Sequence, residues 1–234
     1  MFRWVFRNVS LVGRIRDVNL TISSRVTAVL GPNGSGKTTL LKLAAGLLKP
    51  SSGEVLRPES VGASLQNPYL GFSSHTVIED LTLSAGSRDE ALRILREAGL
   101  EHLAGRSPFT LSMGEARIIS VLAAISWNPE GLVIDEPTSG LDQRYRRWLA
   151  RLIDSLRIPV LIAGHDIDFA ASVAQEAIIM KRGTVLLHSN VDKILSSEVL
   201  DRVGLEPGPI MKKALKLGLS PSRVARCVFL GSEG

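Results

Sequence analysis

Apolar positions fall into two rhythms along the chain. Over the first 30 residues they come in short bursts, "FRWVF", "VNLTI" and "VTAVLG", separated by Ser, Gly, Asn and Arg, which predicts strands. The third burst runs into a glycine-rich turn and then into "KTTLLKLAAGLL", whose apolar positions recur at helical spacing until Gly46 to Pro50 punctuate the chain. "GEVLR" and "VGASLQ" read as further short strands. From about residue 75 to 128 the rhythm is helical. Ser87 and Glu90 have capping-box spacing ahead of a helix that ends at Gly99. Ser112 and Glu115, in "LSMGE", repeat that spacing ahead of the buried-helix run "ARIISVLAAISW", so Glu115 is expected to turn back towards its own N-cap.

"GLVIDE" (131–136) and "PVLIAGH" (159–165) are apolar bursts of strand length, of the kind buried on both faces of a parallel sheet. Between them "LDQRYRRWLARLIDSLR" predicts an amphipathic helix with a basic outer face, completing a βαβ unit. "AIIMKRGTVLLHS" predicts a hairpin, and short helices follow. No internal repeat is visible. The fold class expected is α/β: a mostly parallel sheet with helices and antiparallel N-terminal strands. One domain is expected over 1–195, with a helical segment at about 72–128 inserted in it, and a small helical extension over 196–234.

With 234 residues, 44% hydrophobic and 22% charged, the chain can build a substantial core. A single cysteine, Cys227, excludes an intramolecular disulfide framework and suits a reducing compartment. The opening "MFRWVFRNVS" carries charges within its apolar stretch, unlike a secretory signal. No apolar run approaches the ~20 residues that span a bilayer, so the expectation is a soluble chain, or one held at a membrane by partners. A formal charge of +5 permits a phosphate ligand or an acidic surface, but no run of Lys or Arg argues for nucleic acid.

"GPNGSGKT" (31–38) has the pattern G-x-x-x-x-G-K-[ST] between a predicted strand and a predicted helix. Gly31, Gly34 and Gly36 let the backbone curl so that successive N–H groups point at phosphate oxygens, and the helix N-terminus adds its dipole. Lys37 can reach the β- and γ-phosphates, and Thr38 can offer a hydroxyl to Mg²⁺. In "LVIDEP" two carboxylates leave the end of a buried strand. Asp135 is a candidate to hold Mg²⁺ through water, and Glu136 to activate water against the γ-phosphate. His165, ending the next apolar strand, is a candidate to reach the same phosphate.

On these residues the chain resembles the nucleotide-binding subunits of ATP-binding cassette (ABC) transporters over about residues 5–190. "GPNGSGKTT" resembles the Walker A loop, which implies ATP contacts from Gly31, Pro32, Asn33, Gly34, Ser35, Gly36, Lys37, Thr38 and Thr39. "SLQNP" resembles the Q-loop, implying that Gln66 serves at the Mg²⁺ and the reacting phosphate, beside Thr38 and Asp135. "LVIDEP" resembles the Walker B, "AGHD" the switch histidine, and "SGLD" the D-loop with Asp142. "LSMGE" occupies the signature position, where Ser112, Gly114 and Glu115 would meet ATP held by another subunit. A narrower resemblance, in "LQNP…TVIEDL" (65–81) and "VGLEPGPIMKKALKLGL", is to the ATPases of energy-coupling-factor importers, the group that includes cobalt and nickel systems.

The resemblance implies an ATPase with ATP and Mg²⁺ as ligands, acting in a dimer with a second ABC ATPase subunit, identical or related. It also implies an integral membrane transport subunit as partner, a peripheral location at the cytoplasmic face of the membrane, and uptake of a vitamin or transition-metal ion. No nucleic acid is expected. The competing readings are a non-transport ABC ATPase of DNA repair or translation, and a nucleotide-gated, weakly hydrolysing interaction subunit. Two departures stand out. Met113 replaces a family glycine and is expected to restrict the backbone, and Glu115 replaces a glutamine. Residues 11–13, Leu-Val-Gly, offer no aromatic for adenine, which leaves Trp4 or Phe6 as remote alternatives.

Overall fold

The computed structural model describes residues 4–231. Strands β1 (Trp4–Leu11), β2 (Ile15–Ile22) and β4 (Ser52–Leu56) form an antiparallel sheet in the order β2-β1-β4. Strands β3 (Val26–Leu30), β5 (Val61–Ser64), β6 (Gly131–Asp135), β7 (Val160–Gly164), β8 (Glu176–Lys181) and β9 (Thr184–Asn190) form a second sheet in the order β5-β6-β7-β3-β8-β9. All pairings in it are parallel except β8 with β9, the predicted hairpin, which turns at Arg182–Gly183 with both residues at positive φ.

The central strands are buried on both faces, and alternate residues serve different cores. Ala28, Leu132, Ile134, Val160 and Ile162 join one cluster with the helices on that side. Val29, Val133, Leu161 and Ala163 face the other way, onto helix α1 (Lys37–Ala44) and the antiparallel sheet. Trp4 and Phe6 lie completely buried in this second core, and the Trp4 indole donates to the carbonyl of Ala44, 3.0 Å away.

The helical segment contains α2 (Val77–Ala85), α3 (Arg88–Glu97) and α4 (Met113–Ser126). Ser87 caps α3, but the reciprocal half of its expected box is absent. The Glu90 carboxylate turns instead to Arg93, three residues on, with Nε at 2.8 Å, because a guanidinium is a stronger partner than one backbone N–H. A complete box stands at Thr76 and Glu79, at the start of α2.

Helix α5 (Gln143–Ser155) crosses between β6 and β7, and α6 (Ile167–Val173) follows β7. The chain ends in α7 (Val191–Ile194), α8 (Ser197–Val203), α9 (Pro209–Lys216) and α10 (Pro221–Leu230). Buried Asp168 of α6 accepts from the N–H groups of Ile210 and Met211, capping α9 from outside. Phe229 of α10 meets Phe169 edge to face, with ring centroids 5.9 Å apart. Among the described residues no helix is long and apolar enough to cross a membrane.

Candidate nucleotide site

Strand β3 delivers the chain into the loop 31–36, and α1 leaves it. Gly31 sits so close to the β8 strand that a Cβ would lie 2.2 Å from the carbonyl oxygen of Met180, so only glycine fits. The loop is tied to the β8–β9 turn by the Gly183 N–H, which donates to the Ser35 carbonyl at 2.9 Å. Lys37 folds over the loop, donating to the carbonyls of Gly31 (2.8 Å) and Pro32 (3.1 Å). Burial holds its pKa below the ordinary lysine value, against the opposing pull of Glu136 and Asp135.

Asp135 is buried at the end of β6. Its Oδ2 accepts from the Thr38 hydroxyl at 2.6 Å, while Oδ1 has no partner. Burial raises its pKa above the usual carboxylate range; the Thr38 hydrogen bond, Lys37 and Arg117 act against the shift, and Glu136 adds to it. A hydroxyl and a carboxylate with an unpartnered oxygen are hard oxygen donors of the kind Mg²⁺ takes beside substrate phosphates, so Thr38 and Asp135 fit that ion.

Glu136 has a φ of 53°, in the left-handed region a non-glycine residue enters at a cost of order 1–3 kcal/mol. Its N–H donates to the Ala163 carbonyl at 2.7 Å, and its Oε2 lies 2.8 Å from the Nδ1 of His165. The carboxylate is mostly buried, whereas the imidazole is largely exposed. Beside His165, Asp166 caps α6 through the Phe169 N–H and pairs with Arg146 of α5.

The cleft around this loop is lined by Asn33, Gly34, Ser35, Gly36, Lys37, Thr38, Thr39, Gln66 and Glu136, together with Gly13 and Arg14 of the β1–β2 turn. Trp4 and Phe6, sealed in the core, cannot reach a base there.

Ser112, Gly114, Glu115 and Asp142 do not line this cleft, and neither do Asp135 and His165; Ser112 to Glu115 open α4 beside the Gly140 loop that leads to Asp142 at the start of α5. Ser112 caps α4 by accepting from the Glu115 N–H, and the Glu115 carboxylate takes the Ser112 N–H and hydroxyl, both at 2.8 Å. Burial pushes the Glu115 pKa up, but these hydrogen bonds, with Arg106 and His102, bring it net below the ordinary value. Gly114 abuts the SGLD loop: a Cβ there would stand 2.6 Å from the Gly140 carbonyl oxygen. Asp142 caps α5, accepting from Tyr145 N–H at 2.9 Å. Met113 takes the first helical position without a positive φ, so the expected restriction has no target: nothing at that position calls for glycine's conformations.

One residue in this region escaped the sequence reading. Arg117, within the run "ARIISVLAAISW", is completely buried and donates to the carbonyls of Leu65 and Gln66. The signal was a lone charge inside an apolar helix.

A strand, a glycine-rich phosphate loop and a helix, with an aspartate at the end of a nearby parallel strand hydrogen-bonded to the loop's threonine, define a P-loop nucleotide-binding protein. The family model for ABC transporters matches residues 15–139, and the chain belongs to that family as an ATP-binding, ATP-hydrolysing subunit. It is 32% identical over 233 residues to a putative ABC transporter ATP-binding protein of Pyrococcus furiosus, covering 89% of each chain. It is 31% identical over 220 residues to the energy-coupling factor transporter ATP-binding protein EcfA2 of Clostridium perfringens, covering 82% of this chain and 77% of that one. Among solved structures it resembles cbiO1 of Clostridium perfringens, part of the ABC transporter complex cbiONQ, at 26% identity with a TM-score of 0.72, covering 96% of this chain and 97% of the other. It also resembles the ATP-binding cassette MJ0796, dimeric in a post-hydrolysis state with ADP and Pi, at 25% identity with a TM-score of 0.72, covering 82% of this chain and 99% of the other.

Proposed function

We propose that this chain is the ATP-hydrolysing subunit of an importer for a small micronutrient, a vitamin or transition-metal ion, working as a dimer beneath an integral membrane subunit at the cytoplasmic face. The observation that carries the reading is that the chain holds two half-sites apart. One is the phosphate-loop cleft, with Glu136 in its lining and His165 reaching it only through Glu136; the other is the LSMGE helix start packed on the SGLD loop, which does not line that cleft. A helix N-terminus that presents backbone N–H groups suits a terminal phosphate held by another subunit. The importer assignment is supported by the energy-coupling-factor relatives and the cbiO1 likeness.

In this reading the loop N–H groups and Lys37 hold the β- and γ-phosphates. Thr38 and Asp135, with Gln66 in the same cleft lining as Thr38, would hold Mg²⁺, which when bound would supply charge neutralisation at the phosphates. Glu136 accepts a proton from the attacking water. His165, hydrogen-bonded to Glu136, orients that carboxylate and reaches towards the phosphate. Asp142 and the signature residues complete the partner's site.

Purification from detergent-solubilised membranes tests the assignment. Co-purification of a membrane protein, with or without a second ATPase, and nucleotide-dependent uptake on reconstitution are the expected results. A chain that purifies alone from the membrane fraction, or one whose reconstituted complex exports its substrate, contradicts the importer reading.

A further inference from the structure

Arg117 lies just past the Ser112–Glu115 cap, one turn into α4. It is fully buried, yet its guanidinium is spent on two successive backbone carbonyls, those of Leu65 and Gln66, and its Nε has no partner. Burying a cation costs far more than burying a hydrocarbon side chain, so packing alone does not account for it. Burial holds its pKa below the usual arginine value, against the opposing pull of the Asp135 and Glu136 carboxylates. Just upstream, the last residue of β5 meets the same helix, where the hydroxyls of Ser64 and Ser120 lie 2.9 Å apart. Strand β5 and the helix that starts at LSMGE are therefore joined at the point where the chain turns to present Gln66 to the cleft.

We propose that Arg117 is a positioning residue for ATP hydrolysis. Its fork fixes the Leu65–Gln66 backbone, so that Gln66 is held over the nucleotide cleft and moves with the LSMGE helix. One side chain thus couples the surface that completes a partner's site to the residue that serves its own. The inference rests on the role given to Gln66 above.

The test is a double-mutant cycle on the full chain with Gln66→Ala and Arg117→Met, measuring kcat by phosphate release at saturating Mg-ATP and ATP affinity by titration. Arg117→Met is expected to lower kcat about tenfold to a hundredfold, the scale of an ångström-level misplacement. ATP affinity should stay within about threefold, since the phosphate loop is untouched. The double variant should be no slower than the slower single variant by more than about twofold, because both changes remove one device. Arg117→Lys, which keeps the charge but cannot fork onto two carbonyls, should fall between wild type and Arg117→Met. A kcat within twofold of wild type for Arg117→Met, or a double variant that loses the product of the two single losses, overturns the inference. If Gln66→Ala alone is slow in those cases, the role of Gln66 stands. If Gln66→Ala hydrolyses at the wild-type rate, that role falls and the inference falls with it. Should Arg117→Met fail to bind ATP or to melt cooperatively, the cycle is run with Arg117→Lys under the same additivity criterion.

Discussion

Gly114→Ala probes the contact between the signature helix and the SGLD loop. The new methyl carbon would lie 2.6 Å from the Gly140 carbonyl oxygen, where ordinary contact begins at 3.4 Å, so helix and loop must part by about 0.8 Å. Two stability effects oppose each other. Alanine in place of a helical glycine gains up to about 1 kcal/mol, and forcing a methyl into a packed contact costs about 1–3 kcal/mol. The net is a loss of roughly 0–3 kcal/mol, a shift of a few degrees in Tm. The rate should respond far more. A displacement near 1 Å in a positioning surface can cost about 10²-fold, roughly 2.7 kcal/mol of barrier. The expected result is a variant that folds and binds ATP normally but turns over about 10²-fold more slowly. Gly105→Ala, where a Cβ would meet nothing within 4 Å, is the control and should match wild type. A Gly114→Ala enzyme within threefold of the wild-type kcat would refute the claim that this surface serves the reaction. A loss of ATP affinity in proportion to the rate would place the damage in the chain's own cleft, which also contradicts it.

Lys37→Ala should weaken ATP binding itself, and unchanged nucleotide affinity in a titration counts against the phosphate-loop assignment. Glu136→Gln should bind ATP and lose about 10²-fold or more in turnover, the scale of removing a positioned base; near-normal phosphate release sinks that role. Glu115→Gln should cost about 0.5–1 kcal/mol at pH 7, as a weakened cap does. The folded-state pKa of Glu115 is depressed, so its contribution is present above the ordinary carboxylate pKa and lost as pH falls through the folded value. The stability difference between variant and wild type should therefore shrink on acidification below about pH 4.5 in thermal melts. Its ATPase rate should rise only modestly, and a large rise would mean that the carboxylate faces the phosphate rather than its own N-cap.

The phosphate loop was legible because its chemistry is local: backbone curl, helix start and Lys37 all sit within eight consecutive residues. The Ser112–Glu115 box was legible for the same reason, as was the doubly buried character of β6 and β7. The same logic failed at Ser87. Spacing alone does not say that Arg93 stands on the same helix face and takes the glutamate. Arg117 was hidden by its neighbours, since the partners that explain it lie about fifty positions away, at Leu65 and Gln66. Trp4 and Phe6 were ambiguous because an aromatic in a strand can line a ligand or a core, and only the packing of α1 against the antiparallel sheet decides for the core.

Glu136 shows why the site needs the whole sheet. A left-handed φ at a non-glycine residue persists only where the surroundings over-determine it. Here β6 and β7 run in parallel register up to Asp135 opposite Ala163, and the Glu136 N–H continues to the Ala163 carbonyl. The left-handed turn comes at Glu136 itself, with the Asp135 carboxylate on Thr38 and the Glu136 carboxylate on His165. Two adjacent carboxylates would otherwise point to opposite faces of a strand, one of them away from the cleft. The turn thus leaves both acids beside the loop at 31–38, one on Thr38 and one in the cleft lining, and the sheet that holds it is assembled from segments far apart in the chain.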